Sequence, residues 1–302
     1  MSSVVFSRKS SFIILAIIYV AAAGWGFLAW YFLKNAQCNP FLSVFIADVI
    51  ATVFVWAFGL FYRNVSVYDP YWSVLPPVVL TAYAVHVGNI GLSGILMLTA
   101  VWYWGIRLTG NWAYTFRNLN SEDWRYAKYR REQKPFIFQI INFFGLNMMP
   151  TIVVFVAMCP ALELLTGYVT TDHYTTAPHF VPYGWNGLTL LGFVLCIAAA
   201  SIQLVADTQR HRFAREHRGE VCKVGLWKHG RHPNYFGEIL MWWGVWVMFA
   251  SVGKFGIPLL YLPAPIAMTC LFLFISIPLM EKRQLQNKPG YAQYRKETRM
   301  LI

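Results

Sequence analysis

Apolar residues along this chain gather in long runs instead of the short periodic stripes of a soluble protein. A run of about 18 or more residues is enough to carry a helix across roughly 30 Å of hydrocarbon. Runs of that length, or nearly so, fall at 11–33, 40–62, 73–89, 92–108, 136–160, 185–206, 235–252 and 256–280. Several carry Trp or Tyr near their ends, where amphipathic rings favour the headgroup level. The pattern predicts an all-α, polytopic transmembrane helical bundle of about eight spans. With no internal repeat, low-complexity tract or soluble domain, 1–302 reads as a single membrane domain whose first two spans occupy 11–62.

Three polar segments interrupt the runs. Segment 109–135 mixes aromatics with charges, including Arg117, Glu122, Asp123, Trp124, Arg125 and Tyr126, and predicts a short helix at the membrane interface. Segment 207–234 starts at Asp207 and passes through a basic stretch to Arg231-His232-Pro233-Asn234. On the opposite side, 161–184 predicts a loop with Thr170, Thr171, Asp172, His173, Thr175 and Thr176, to which no chemistry is assigned.

Composition agrees: 57% of residues are hydrophobic and 13% charged, against roughly 25% charged in an ordinary soluble domain. The net charge of +12 does not point to nucleic acid, because 20 of the 25 Lys and Arg lie in 107–134, 210–231 and the tail after Glu281. Placing all three segments in the cytoplasm requires an even number of crossings between them. Eight spans satisfy this with both termini cytoplasmic, whereas seven would put Arg8 and Lys9 on the far side. Two readings of these cations stay open: topology signal with headgroup contact, or a surface for an anionic cofactor.

The five cysteines, Cys38, Cys159, Cys196, Cys222 and Cys270, are scattered without a C-x-x-C pair, so neither a disulfide framework nor a zinc site is expected. Run 11–33 is too long for the core of a cleavable signal and reads as the first anchor. Asn64-Val65-Ser66 is formally a glycosylation sequon, but the topology puts it in the cytoplasm.

Ionisable groups at bilayer depth cost about 2.5 to 3.5 kcal/mol on insertion scales and are candidates for function. Among the 13 acidic residues, Asp48 sits within a span, while Asp69, Asp207, Glu238 and Glu281 lie at span ends. Each also has a plain alternative as an interhelical hydrogen bond or ion pair. Those last four fall at cytoplasmic ends, where a water-soluble cofactor enters.

Residues 231–238, Arg-His-Pro-Asn-Tyr-Phe-Gly-Glu, carry the densest signal. Pro233 biases His232 away from helical geometry and is itself suited to the first position of a helix. Free amides of that first turn favour an anion such as a phosphate. Asn234 and Glu238, four apart, share one helix face, and Arg231 has the fork that meets phosphate bidentately.

This run, followed by Trp242-Trp243-Gly244, resembles the C-terminal region of the steroid 5α-reductase family, most closely its DUF1295 branch. Asp207 with its basic run, Gly225-Leu226-Trp227, Arg107-Leu108, Asp123-Trp124-Arg125-Tyr126 and the Gly290-Tyr291 to Tyr294-Arg295 tail extend the resemblance from about Asp69 onward. It is strongest over 203–300, and the first span is an addition to a seven-helix plan. The resemblance implies an enzyme that holds NADPH among its C-terminal helices, within 203–302, and reduces a carbon-carbon double bond conjugated to a carbonyl in a lipid. It assigns cofactor binding to Asp207, Asn234, Glu238 and Trp242, with Arg210, Arg212 or Arg231 facing the phosphates and His232 and Tyr235 in the same turn. Asp69 and Tyr103, in the substrate-side segment 69–160, match a proton-donating and carbonyl-binding pair, although the family has Glu where Asp69 stands. Such a pair donates to the carbonyl oxygen and stabilises the enolate formed when hydride arrives. The alternatives are a helix cap for Asp69 and an interface aromatic for Tyr103.

Membrane methyltransferases of the isoprenylcysteine or phospholipid type share the shorter Arg-His-Pro core. They usually carry a Glu-Glu pair near the last helix, whereas here Glu281 precedes Lys282 and Arg283. The expected partner is a lipid-like small molecule, with no nucleic acid and no obligate protein partner. The expected location is the endoplasmic reticulum of a eukaryote or the inner membrane of a bacterium.

Overall fold

Helix boundaries follow local chemistry closely. In the computed structural model, which describes residues 5–167, 185–253 and 256–302, Ser7 opens α1 (Arg8–Asn35) by accepting from the Ser10 amide. Asn39 caps α2 (Pro40–Phe61), accepting from the Phe41 and Leu42 amides with Pro40 in the first turn. Then come α3 (Tyr71–Val87) and α4 (Gly91–Thr115), and α5 (Trp124–Glu132) capped by Asp123. A long helix α6 (Pro135–Thr166) follows. Asn186 and Thr189 form a capping box on α7 (Gly187–Glu216). Pro233 starts α8 (Pro233–Ala250), and α9 (Ile257–Asn287) leads through left-handed Gly290 into α10 (Tyr291–Glu297). Each satisfied cap removes orphan amides that a helix end would otherwise expose.

The all-α architecture matches the expectation, and each of the eight apolar runs coincides with a helix. Among the described residues, six helices are long and apolar enough to cross a membrane: α1, α2, α4, α6, α7 and α9. The other two expected spans are shorter. Helix α3 has 17 residues and α8 has 18, or about 25 and 27 Å at 1.5 Å per residue. Gly88, with φ +84°, follows the end of α3, and Pro233 opens α8 two residues before the apolar run begins. The short helix expected within 109–135 is α5. Of the loop expected at 161–184, residues 161–166 instead continue α6, and 168–184, with all six residues named there, lies outside the described residues.

Two long helices each contain a π-helical stretch, Ile141–Met148 in α6 and Leu271–Ser276 in α9. Pro150 and Pro278 stand just beyond them. A proline in a helix lacks an amide and clashes with the carbonyl four residues back, here Leu146 and Phe274, so the preceding turn widens.

The chain divides into two compact units, Met1–Val79 with Trp112–Phe155, and Leu80–Asn111 with Val156–Ile302. In the first, α1 packs on α2 closely enough that a Cβ on Gly26 would lie 3.2 Å from the Ala47 carbonyl oxygen. Leu15, Ile18, Ala51, Val55, Tyr68 and Tyr71 share its core. Asp48, 2% exposed, accepts from the Tyr71 phenol at 2.8 Å, the interhelical bond that was its plain alternative. Asn64 of the formal sequon is 2% exposed, and its side-chain amide donates to the Leu119 carbonyl at 2.7 Å. That makes it an internal strut.

In the second unit α7 and α8 pack at glycine distance. A Cβ on Gly237 would meet Gln203 Cγ at 2.5 Å and the Ala199 carbonyl at 2.7 Å. One on Gly244 would meet Cys196 Sγ at 2.6 Å, and one on Gly192 would meet Met248 Cγ at 2.6 Å. Small residues let helix backbones approach this closely where hydrocarbon solvent gives no hydrophobic drive.

Candidate functional site

Close packing of α7 on α8 brings Asp207 and Gln203 against the first turns of α8, and Arg107 of α4 reaches the same place. Its side chain is 3% exposed. Nη1 contacts Asp207 Oδ2 at 3.0 Å, Nη2 lies 3.7 Å from Glu238 Oε2, and Nη2 also donates to Gln203. The Trp104 indole donates to both Glu238 oxygens at 3.0 Å and the Trp242 indole to one at 3.2 Å. The two indoles meet edge to face at 5.1 Å. Asn234 donates its side-chain amide to Asp207 Oδ1 at 3.2 Å. Two donors in this dry cluster, Arg107 Nε and Gln203 Nε2, have no hydrogen-bond partner among the described residues.

Beside the cluster lies a recess with about 450 Å³ of empty space, open solvent included. Arg210 comes from α7, Arg231 and His232 from the turn before α8, Asn234 and Tyr235 from its first turn, and Lys288, Tyr291 and Tyr294 from the C-terminal segment. Among the described residues, no acidic side chain lines it. Arg210 stacks on Trp227 with 5.5 Å from guanidinium to ring centroid. The Trp227 indole donates to the Ala206 carbonyl at 2.9 Å, and Leu226 N–H to Gln209 Oε1 at 2.8 Å. Gly225, at φ +55°, makes the turn that allows this. The Gly225-Leu226-Trp227 motif thus fastens the basic loop to α7.

Arg231 lines the recess and is also held within the protein. Its Nε donates to Glu281 Oε1 at 2.7 Å, and Nη1 donates to the Arg295 and Thr298 carbonyls. Much of its fork is therefore committed within the protein. His232 stacks flat on Tyr235 at 5.4 Å and contacts Glu281 Oε1 at 3.2 Å. Burial holds the His232 imidazole below its usual value, against the opposing pull of Glu281. The free amides expected in the first turn of α8 are also reduced. Tyr235 N–H goes to the Asn234 side chain and Phe236 N–H to the His232 carbonyl.

The sequence-derived residues therefore fall into groups. Arg210, Arg231, His232, Asn234 and Tyr235 line one recess, while Asp207, Glu238 and Trp242 belong to the dry cluster. Arg212 is exposed on α7 and is not among the lining residues. Tyr103, in the second unit, pairs with Ser201 Oγ at 3.0 Å. Asp69, in the first, accepts from the Tyr126 phenol at 2.6 Å. Burial pushes the Asp69 carboxyl up to about 6, with Arg125 and the Tyr126 bond working the other way. Reasoning from acidic residues alone passed over Arg107, Trp104, Gln203 and Lys288. Arg107 was findable, because a cation inside an apolar run meets the same rule that singled out the acids.

Fold and site together define an all-α protein with several membrane-length helices and a cationic recess at its C-terminal end. The chain belongs to the family described as protein of unknown function DUF1295, which matches residues 55–298. It is similar to an uncharacterized protein of Schizosaccharomyces pombe, 24% identical over 264 residues, covering 72% of this chain and 71% of the relative. No solved structure matches it.

Proposed function

We propose that this protein is an NADPH-dependent membrane reductase acting on a carbon-carbon double bond conjugated to a carbonyl in a steroid-like or other lipid. The supporting observation is the recess, where Arg210, Arg231 and Lys288 converge without an acidic lining residue, beside Asn234 and Tyr235. The residues fit a dinucleotide: cations for phosphates and flat phenol rings for stacking. Bound NADPH supplies a hydride. The chain's own residues bind and orient it, with Asn234 held by Asp207 and Glu238 fixing Trp104 and Trp242 as a dry wall.

In the first unit Asp69 is a proposed proton donor, a role for which a carboxyl raised to about 6 is suited; in the second unit the Tyr103 phenol is a proposed hydrogen-bond donor. We further propose eight crossings, counting α3 and α8. Both termini are then cytoplasmic, in the endoplasmic reticulum of a eukaryote or the inner membrane of a bacterium.

The test is NADPH binding to full-length protein in lipid nanodiscs, read by nucleotide fluorescence. Asn234→Ala is expected to lose most affinity while keeping its melting temperature within a few degrees, and unchanged affinity refutes the proposal. S-adenosylmethionine in the same assay separates the methyltransferase alternative, which also places an Arg-His-Pro turn beside its cofactor.

A further inference from the structure

The chain after α9 does not trail away. It returns to the turn before α8 and is fastened there along its length. Arg231 N–H donates to the Arg299 carbonyl at 2.9 Å and His232 N–H to the Met300 carbonyl at 3.2 Å. The Tyr294 phenol donates to the Trp227 carbonyl at 2.5 Å. Glu281, 4% exposed, takes Arg231 on one oxygen at 2.7 Å and Arg295 on the other at 3.0 Å. A Cβ on Gly230 would lie 3.0 Å from the Ile302 amide nitrogen, so glycine is what lets the last residues approach.

This segment also contributes to the recess. Lys288 is half-buried there and anchored by one donation to the Glu220 carbonyl at 2.7 Å. Burial and the nearby Arg210 hold its amine below the ordinary range. Two crowded cations facing a recess without acids gain from an anion between them. Arg231, the basic residue the motif itself offers, has Nε and Nη1 spent on Glu281 and the tail carbonyls.

We propose that the C-terminal segment is a working wall of the anion site: Lys288 is a direct ligand for the phosphate groups of the bound molecule, and the Arg231–Glu281 pair is the clasp that keeps the segment in place. Lys288 is then a binding residue, while Glu281 and Arg231 are positioning residues. The inference rests on the nucleotide proposal only for the identity of the ligand. A diphosphate of another kind would use the same wall.

The experiment uses the full chain in nanodiscs with two probes, NADPH and inorganic pyrophosphate, and three variants, Lys288→Gln, Glu281→Gln and Lys228→Gln. Lys228 is exposed and is not among the lining residues. Lys288→Gln should weaken both probes about tenfold, the scale of one charge-assisted hydrogen bond. Glu281→Gln should weaken both and speed tryptic cleavage after Arg295 and Lys296. Lys228→Gln should behave as wild type. Affinities within twofold of wild type for both probes in Lys288→Gln overturn the inference, as does wild-type protein that binds neither. Pyrophosphate binding that depends on Lys288, without NADPH binding, supports the inference and sinks the reductase proposal. Lys288-independent NADPH binding does the reverse. Should Glu281→Gln fail to fold, Lys288→Gln alone decides.

Discussion

Replacing Arg107 with Met removes one cation from between two carboxylates and tests whether the dry cluster holds the second unit together. At an effective permittivity of about 20, contacts of 3.0 Å to Asp207 and 3.7 Å to Glu238 correspond to about 5.5 and about 4.5 kcal/mol of attraction. Desolvation of the three ions offsets most of this. Removing one partner of a buried pair nonetheless costs about 3–5 kcal/mol, because it strands the charge that remains. At a few degrees per kcal/mol, Arg107→Met should lower the melting temperature by on the order of 10 °C. The assay is thermal unfolding of full-length protein in nanodiscs followed by tryptophan fluorescence, for which Trp104 and Trp242 are local reporters on Glu238. Adding Glu238→Gln to Arg107→Met removes one stranded charge and should recover part of the loss. A melting temperature within 2 °C of wild type in Arg107→Met, or no recovery in the double variant, refutes the electrostatic account of the cluster.

Gly237→Ala should destabilise by about 1–3 kcal/mol, because the added methyl meets a backbone oxygen at 2.7 Å. Gly110→Ala, exposed in α4 with nothing within 4 Å of the added carbon, should stabilise by about 0.5–1 kcal/mol. The same unfolding assay separates the two. Asp69 governs a pH effect. Its folded value of about 6 exceeds the unfolded value of about 3.9, so the folded state binds more protons between them and stability falls as pH rises through that window. The contribution is fully present below pH of about 4 and lost above about 6, on the order of 2 kcal/mol for a half-buried group. Melting temperature recorded from pH 4 to 7 should show that fall in wild type and a flatter profile in Asp69→Asn.

Fold class was readable because hydrocarbon imposes one rule, that every backbone group be satisfied within its own helix, and apolar runs record it directly. All eight runs became helices for that reason. Two runs kept their length and shifted two residues toward the N-terminus: 73–89 became Tyr71–Val87, which ends before Gly88, and 235–252 became Pro233–Ala250, which Pro233 opens. Division into two units was invisible, since α3, α4 and α6 each contribute residues to both and no composition change marks a boundary. The π-helical stretches left a trace in Pro150 and Pro278, each inside an apolar run, but a proline there signals a break without saying which kind.

The candidate site was legible as a motif and illegible as a geometry, and Glu281 shows why. By itself it is an acid at the end of an apolar run, equally suited to cap, pair or bind. Its role follows from which residues reach it: Arg231 and His232 from 50 and 49 residues earlier, and Arg295 from the following helix. That meeting commits Arg231 Nε and Nη1 to Glu281 and two tail carbonyls, while Arg210 and Lys288 line the same recess. The same logic applies to Glu238. Four residues after Asn234 it does share that residue's face, yet three donors from α4 and α8, the indoles of Trp104 and Trp242 and the Arg107 guanidinium, surround its carboxylate. Asn234 and Glu238 therefore differ in kind, one beside open space and one in dry packing. A ligand contact should depend on the first more directly than on the second, so Glu238→Gln should affect stability more than Asn234→Ala does.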